Sequence, residues 1–304
     1  MRIVCAGEAM VELAIDRADP ARASIGVAGD TFNTAVYLKR GLLDAGSDAA
    51  VAYATCVGTD AFSARLLALL DEEAIDTSLI GRLDERLPGL YAITTDEAGE
   101  RSFSYWRENS AARRLFCPDV RPALSEFDSA DVLYLSAITL AILSDDARER
   151  LLDWIARWRA PGVRRFAFDS NYRPRLWASP EAARRVISAA WRLCDIALPS
   201  LDDEQALYGD ADEAAVLARL RDHGVTRGAL KRGAAGPLCL EGAHAGRTFA
   251  PAARVIDSTA AGDSFDGAYL AALIAGAGAG DALVAGHRCA ARVVGFRGGI
   301  VPRG

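Results

Sequence analysis

The chain of 304 residues has few of the groups that commonly mark metal, redox or nucleic-acid chemistry. Of its 35 lysines and arginines, only Lys39 and Lys231 are lysines, and 41 acidic residues leave a net charge of −6. A nucleic-acid binder normally carries a basic face, so no nucleic-acid partner is expected, although a local basic pocket for an anionic ligand fits this balance. The three histidines, His223, His244 and His287, share no spacing that would hold a metal. No cysteine falls in a C-x-x-C pair, and all six but Cys117 lie in or beside apolar runs, which predicts buried free thiols in a reducing compartment. The opening MRIVCAGEAMVEL reaches acidic residues too early for a secretory signal. The most apolar late stretch, from Ala268 to Gly280, is far shorter than the roughly 20 apolar residues of a spanning helix. A cytoplasmic protein with no membrane partner is therefore expected. No Ser-His-Asp set with nucleophile-elbow glycines occurs, and there is no linker, internal repeat or low-complexity tract. What the chain does have is 51% hydrophobic residues, enough for a sizeable core and too many for global disorder.

Strand-like and helix-like segments alternate along it. Ile3–Ala6, Val51–Val57, Val132–Ser136, Arg165–Asp169, Asp195–Pro199 and Ala229–Lys231 read as buried strands. Helices are predicted from Asp30 to Gly41 with Asp30 or Thr31 as cap, from a Thr59 cap to Leu70, over 144–160, 180–193 and 211–222, and as a pair from Gly262 to Phe296 broken at Gly276–Gly280. Such alternation implies parallel strands joined by crossover helices. One segment breaks the rhythm. Gly89–Thr95 and Glu100–Arg107, joined by Asp96–Gly99, form a predicted β-hairpin bearing Tyr91, Phe103, Tyr105 and Trp106, either an edge hairpin or a lid.

The strongest chemical signal is Asp257-Ser-Thr-Ala-Ala-Gly-Asp263, which leads directly into a helix. Amides at a helix start, with the positive end of its dipole behind them, suit an oxyanion or phosphate. Asp263 there is either a helix cap or a base that takes a proton from an attacking hydroxyl. Lys231-Arg-Gly233-Ala-Ala-Gly236 follows a strand and suits close backbone approach to a nucleotide, but lacks the order of a Walker A loop. Asp169-Ser-Asn171-Tyr-Arg173 begins at a strand's carboxyl end, where open α/β sheets bind ligands. Asp202, Asp203 and Glu204 either hold Mg²⁺ through water or favour a helix N-terminus. Gly29, Asp30 and Asn33 at a helix start suit hydroxyl recognition.

The order of these signals resembles that of the ribokinase-like (PfkB) carbohydrate kinases over essentially the whole chain, through Gly299-Ile-Val-Pro302. Within that family the stretches Gly29–Tyr37, Leu87–Tyr91, Phe103–Arg107, Asn171–Trp177 and Leu201–Glu204 are most similar to the branch that phosphorylates 2-keto-3-deoxygluconate. The resemblance implies one kinase domain over 1–304. Its fold would be a three-layer α/β/α arrangement with a central, mostly parallel sheet and a small β lid drawn mainly from 10–27 and 87–108. It further implies ATP and Mg²⁺ as cofactors and a small sugar acid as substrate, and leaves homo-oligomerisation open. By the family pattern Asp263 is the catalytic base and Ala260, Ala261 and Gly262 form the anion hole. Gly29, Asp30, Asn33, Tyr91, Tyr105, Arg107 and Arg173 line the sugar-acid pocket, with Asp263. Asn171, Arg173, Lys231, Gly233, Gly236, Ala260 and Gly262 serve the nucleotide, and Asp203 the metal.

Three positions depart from the pattern. Ala260 replaces a glycine, which implies altered backbone freedom. Ser200 replaces the asparagine of an N-x-x-E motif. No early hydroxyl-binding aspartate is evident, and Glu12 lies nearby instead, which fits a substrate bearing a carboxylate. Asp203→Ala is expected to raise the Mg²⁺ requirement more than it alters sugar affinity. A Mg²⁺ titration superimposable on that of the unaltered protein would move the role to Glu204.

Overall fold

A computed structural model describes residues 1–95, 101–160, 162–242 and 247–303. Its strands are β1 (Arg2–Ala6), β2 (Met10–Ile15), β3 (Ala23–Ala28), β4 (Ala50–Val57), β5 (Ile80–Arg82), β6 (Gly89–Thr95), β7 (Arg101–Trp106), β8 (Val132–Ser136), β9 (Arg165–Asp169), β10 (Ile196–Ala197), β11 (Ala229–Leu230) and β12 (Leu238–Cys239). Its helices are α1 (Asp30–Asp44), α2 (Ala61–Glu72), α3 (Ala137–Ile142), α4 (Asp145–Trp158), α5 (Pro180–Leu193), α6 (Leu201–Tyr208), α7 (Glu213–Asp222), α8 (Ala261–Ile274) and α9 (Ala279–Val293).

Six strands form one sheet in the order β10-β9-β8-β1-β4-β5, and every pairing in it is parallel. Side chains alternate between its two faces with the strand period of two. Val4, Ala6, Ala52, Ala54, Leu133, Leu135, Phe166 and Phe168 point to one side, where α3 to α7 cover them. Ile3, Cys5, Val51, Tyr53, Val132, Tyr134 and Ala167 point to the other, against α1, α2, α8 and α9. This is the three-layer α/β/α fold expected from the alternation of strands and helices, and burial on both faces explains the near-continuous apolar strands.

A separate four-stranded sheet, ordered β3-β2-β6-β7, stands beyond the carboxyl end of β1. Strands β2 and β3 pair antiparallel, β2 and β6 parallel, and β6 and β7 antiparallel. Met10, Ala28, Tyr91 and Ile93 bury one of its faces with Phe103 against them. The expected hairpin is present as β6 and β7; its turn, Asp96–Gly99, and Glu100 lie outside the described residues. Periodicity did not reveal β2 and β3, because β2 is apolar at every position but Glu12 and β3 is mostly small residues.

Several local expectations need correction. Helix α1 is capped by Gly29, with no side-chain cap bond, because Asp30 and Thr31 already lie inside the helix. Asp60, not Thr59, caps α2, its carboxylate accepting from the amides of Phe62 and Ser63. The strand expected over Asp195–Pro199 is only the two residues of β10. Strand β11 pairs antiparallel with β12 and touches the main sheet through isolated parallel bridges, Ala197 to Gly228 and Ser200 to Lys231. Of the thiols, Cys5, Cys56 and Cys239 are buried, whereas Cys117, Cys194 and Cys289 are only half-buried.

Helix α8 packs between α1 and α9, which is why it reads as apolar nearly all round. It lies so close to α1 that a Cβ on Gly267 would sit 2.7 Å from both the Leu38 nitrogen and the Thr34 carbonyl oxygen. Gly267→Ala is therefore expected to destabilise the fold by about 1–3 kcal/mol through overpacking against backbone, read as a lower denaturation midpoint.

Candidate active site

Chain segments leaving the carboxyl ends of β1, β8, β9 and β11 meet the first turns of α1 and α8 beneath the small sheet. They enclose a polar cavity of about 520 Å³ lined by Glu8, Gly29, Asp30, Asn33, Tyr91, Tyr105, Arg107, Asp169, Asn171, Arg173, Asp203, Lys231 and Ala260–Asp263. An apolar groove of about 430 Å³ adjoins it, walled by Pro237, Val255, Phe265, Ala290 and Val294, with Gly233 and Ala234 at its edge. Ser200, Lys231, Ser258, Ala261 and Gly262 border both spaces. The start of α8 is thus the wall they share.

Asp263 stands in the first turn of α8 and its carboxylate accepts a 2.8 Å hydrogen bond from Asn33 Nδ2. Burial, then the charges of Asp30 and Asp169, push its carboxyl up to about 7, against the opposing pull of Asn33 and Lys231. Asp30 opens α1. It accepts from the Ser136 hydroxyl and from Asn171 Nδ2 at 3.2 Å, and burial raises its carboxyl too. Gly29 ahead of it has φ 152°, and a Cβ there would lie 2.2 Å from the Glu8 carbonyl oxygen, so only glycine fits. Asn171, expected to serve the nucleotide, is bonded to Asp30 and lines the polar cavity.

Under this floor Lys231 Nζ is held 2.8 Å from Asp169 Oδ2 and 3.0 Å from both carboxylate oxygens of Asp266. Burial alone would lower its pKa, but the two carboxylates outweigh that and raise it. Tyr134 donates to Asp266 at 3.0 Å and accepts from Thr34, which also reaches the Asp263 carbonyl. Glu8, Asp266, Tyr134 and Ser136 were not singled out from the sequence. Asp266 follows Asp263 by three residues on one helix, a spacing that puts both on neighbouring faces and was the available signal.

The small sheet supplies the roof. Tyr91 donates its hydroxyl to Glu12, which places the nearby glutamate noted in the sequence behind the pocket wall. Tyr105 lies half-exposed beside Tyr91, with ring centroids 5.7 Å apart. Arg107 is buried in an ion pair with Glu8. Arg173 donates to Asp203 at 3.3 Å, and burial raises the Asp203 carboxyl. Asp203 and Asp169 both face the cavity, and their hard carboxylate oxygens suit Mg²⁺. Among the described residues there is no cluster of three or more side chains able to hold a metal.

In the loop before α8, Ala260 adopts a left-handed conformation, φ 58°, so the alanine noted above sits where glycine is favoured. The Ala261 amide is engaged by Ser258 O at 3.2 Å, leaving Gly262 and Asp263 to present the unbonded amides of a helix start. Asp257 braces this loop, accepting from Thr259 N and Gly298 N. Gly233 and Gly236 shape the turn after Lys231. Both have positive φ, and a Cβ on Gly236 would meet Phe249 at 2.8 Å.

The model of the pfkB family carbohydrate kinases matches residues 1–303. The chain belongs to this family. It is 44% identical to a 2-dehydro-3-deoxygluconokinase from Escherichia coli, over 99% of this chain and 97% of that relative. A solved PfkB protein from a Polaromonas species superposes with a TM-score of 0.81 at 26% identity, over 96% of this chain and 95% of the other. A putative Ribokinase II from Escherichia coli, solved with ATP and Mg²⁺, shares the fold at a TM-score of 0.81 and 22% identity, covering 98% of this chain and 94% of its own. No helix among the described residues is long and apolar enough to cross a membrane.

For this kinase fold the Lys231 cluster makes a stability prediction. Lys231→Met leaves Asp169 and Asp266 facing one another without a counter-charge. Unfolding measurements should show a loss of about 3–5 kcal/mol, the usual cost of breaking a buried pair. The deficit should shrink as pH falls and the carboxyls take up protons.

Proposed function

We propose that this kinase transfers the γ-phosphate of ATP to the terminal hydroxyl of 2-keto-3-deoxy-D-gluconate, giving the 6-phosphate, in the cytoplasm. The observation that carries the reading is Asp263, a carboxylate with a raised pKa at the junction of a polar and an apolar pocket. The high identity to a 2-dehydro-3-deoxygluconokinase over nearly the whole chain supports the substrate.

In this mechanism the sugar acid occupies the polar cavity and the nucleotide base the apolar groove, so the γ-phosphate lies over the start of α8. Asn33 orients the Asp263 carboxylate, which takes the proton as the substrate oxygen bonds to phosphorus and the bond to the ADP oxygen breaks. The Gly262 and Asp263 amides face the charge that develops on the transferring group. Asp203 and Asp169 are the residues suited to hold Mg²⁺, which when bound neutralises phosphate charge. The four-stranded sheet acts as a lid, its Tyr91, Tyr105 and Arg107 covering the sugar acid and excluding water.

A panel of 2-keto-3-deoxygluconate, fructose and other keto sugar acids, read by ADP release, tests this. The acid should have the highest kcat/KM, and a preference for fructose would refute the assignment. Asp263→Asn should lower kcat by at least roughly 10²-fold, the low end for removal of a general base. In the unaltered protein the rate should rise with pH through about 7, as Asp263 loses its proton. The same raised value sets a stability effect. Folded Asp263 keeps a proton that the unfolded chain releases in the ordinary carboxylate range, so ionisation costs stability as pH rises toward 7. Asp263→Asn should therefore melt higher than the unaltered protein at pH 8, and the gap should close in acid.

A further inference from the structure

The Glu8–Arg107 pair joins the two sheets. Glu8 follows β1 of the main sheet, and Arg107 follows β7 of the small one. Both side chains are buried, at 1% and 8% exposure, and both line the polar cavity. One oxygen of Glu8 accepts from an Arg107 terminal nitrogen. The other has no hydrogen-bond partner among the described residues, and neither does Arg107 Nε. That second oxygen rests against the root of the lid, since a Cβ on Gly89 would lie 2.5 Å from it.

We infer that Glu8 is the positioning residue for Arg107. It fixes the guanidinium at the root of the lid, so that the N–H donors not spent on Glu8 meet the carboxylate of the sugar acid. A guanidinium binds a carboxylate through two parallel hydrogen bonds only when its plane is correctly set. Arg107 sits at the end of an edge strand, where among the described residues no other side chain hydrogen-bonds its guanidinium. Among the described residues, Arg107 N donates to its neighbour Glu108. Glu8 comes from the rigid sheet, so the acid-reading group is registered to the floor that carries Asp263 even though it belongs to the roof. The inference rests on the kinase reading and deepens it, because it concerns how the same pocket selects an acid.

The test is steady-state kinetics on purified full-length Glu8→Ala, Glu8→Gln, Gly89→Ala, Arg107→Ala and Glu8→Ala/Arg107→Ala, with melting curves alongside. Glu8→Ala should reduce kcat/KM for 2-keto-3-deoxygluconate roughly 10- to 100-fold, the value of one charged hydrogen bond. The loss should fall mainly on KM for the acid and leave KM for ATP unchanged. Glu8→Gln keeps an acceptor oxygen in place and should recover most of it. In the double variant the Glu8 change should add little to Arg107→Ala, because nothing remains to be positioned. Should Glu8→Ala fail to fold, Gly89→Ala provides the same readout. The nearest atoms to its Cβ are the side-chain ends of Glu8 and Met10, so it displaces the Glu8 carboxylate and should raise KM for the acid. Independent, multiplicative losses from Glu8→Ala and Arg107→Ala would overturn the inference. So would equal losses on acid, neutral sugar and ATP, or an unaltered KM in Gly89→Ala. If the unaltered protein does not use the acid at all, the functional reading has failed rather than this inference.

Discussion

The active-site floor depends on one buried ammonium. Lys231 comes from the short β11, Asp169 from the end of β9 and Asp266 from the first turns of α8. An unpaired ion in that position would be prohibitive, whereas the ammonium is satisfied between Asp169 and Asp266, whose carboxyl is pushed well up by burial. The cluster therefore fixes where α8 begins relative to the sheet. Everything that the chemistry needs from α8, the exposed amides and the Asp263 carboxylate, inherits that placement. Beta-strand β11 has only two residues and few ladder bonds, so Lys231 also ties its end to the layer that the ladder alone would hold loosely.

From that anchor the two pockets follow. Helix α8 is wedged between α1 and α9 by small contacts at Gly267 and at Gly286, where a Cβ would meet Phe265 at 2.7 Å. Its body is closely packed on both sides, and its start forms the wall shared by the two pockets. The left-handed Ala260 turns the chain into that helix at a local conformational cost. Asp257 offsets it by bonding two amides across the loop. The raised Asp263 carboxyl arises from the same crowding, because Asp30 and Asp169 approach it from the neighbouring helix start and strand end.

Much of this was legible in the sequence, where the pattern is local. The parallel strands announce themselves because both of their faces are buried, and Asp257–Asp263 announces a helix start because the glycine and the acid fall at adjacent positions. What periodicity did not reveal has a common physical reason. Strand β2 is stabilised by pairing with β6 across 79 residues of chain and with β3 on its other side; β2 is apolar except for Glu12, and alanine, glycine and serine blur the alternation of β3. Glu8, Tyr134 and Asp266 look like ordinary members of a loop, a strand and a helix until the fold brings them to partners far away in sequence.

Charge counting at the pocket reaches a conclusion that composition could not. An acidic protein that binds an anion was expected to concentrate free positive charge at its site. Instead Lys231 is bonded by Asp169 and Asp266, Arg107 by Glu8, and Arg173 by Asp203. The cavity carries its cations already compensated. Net attraction therefore does little to draw in a sugar acid, and a neutral sugar would not be excluded by charge alone. Discrimination must come from directed hydrogen bonds, through the donors that each paired arginine still has to spare. Such bonds distinguish ligands because leaving a buried donor unmet is costly. Pairing in advance keeps the guanidinium groups oriented before the ligand arrives, so less ordering is left for binding to supply.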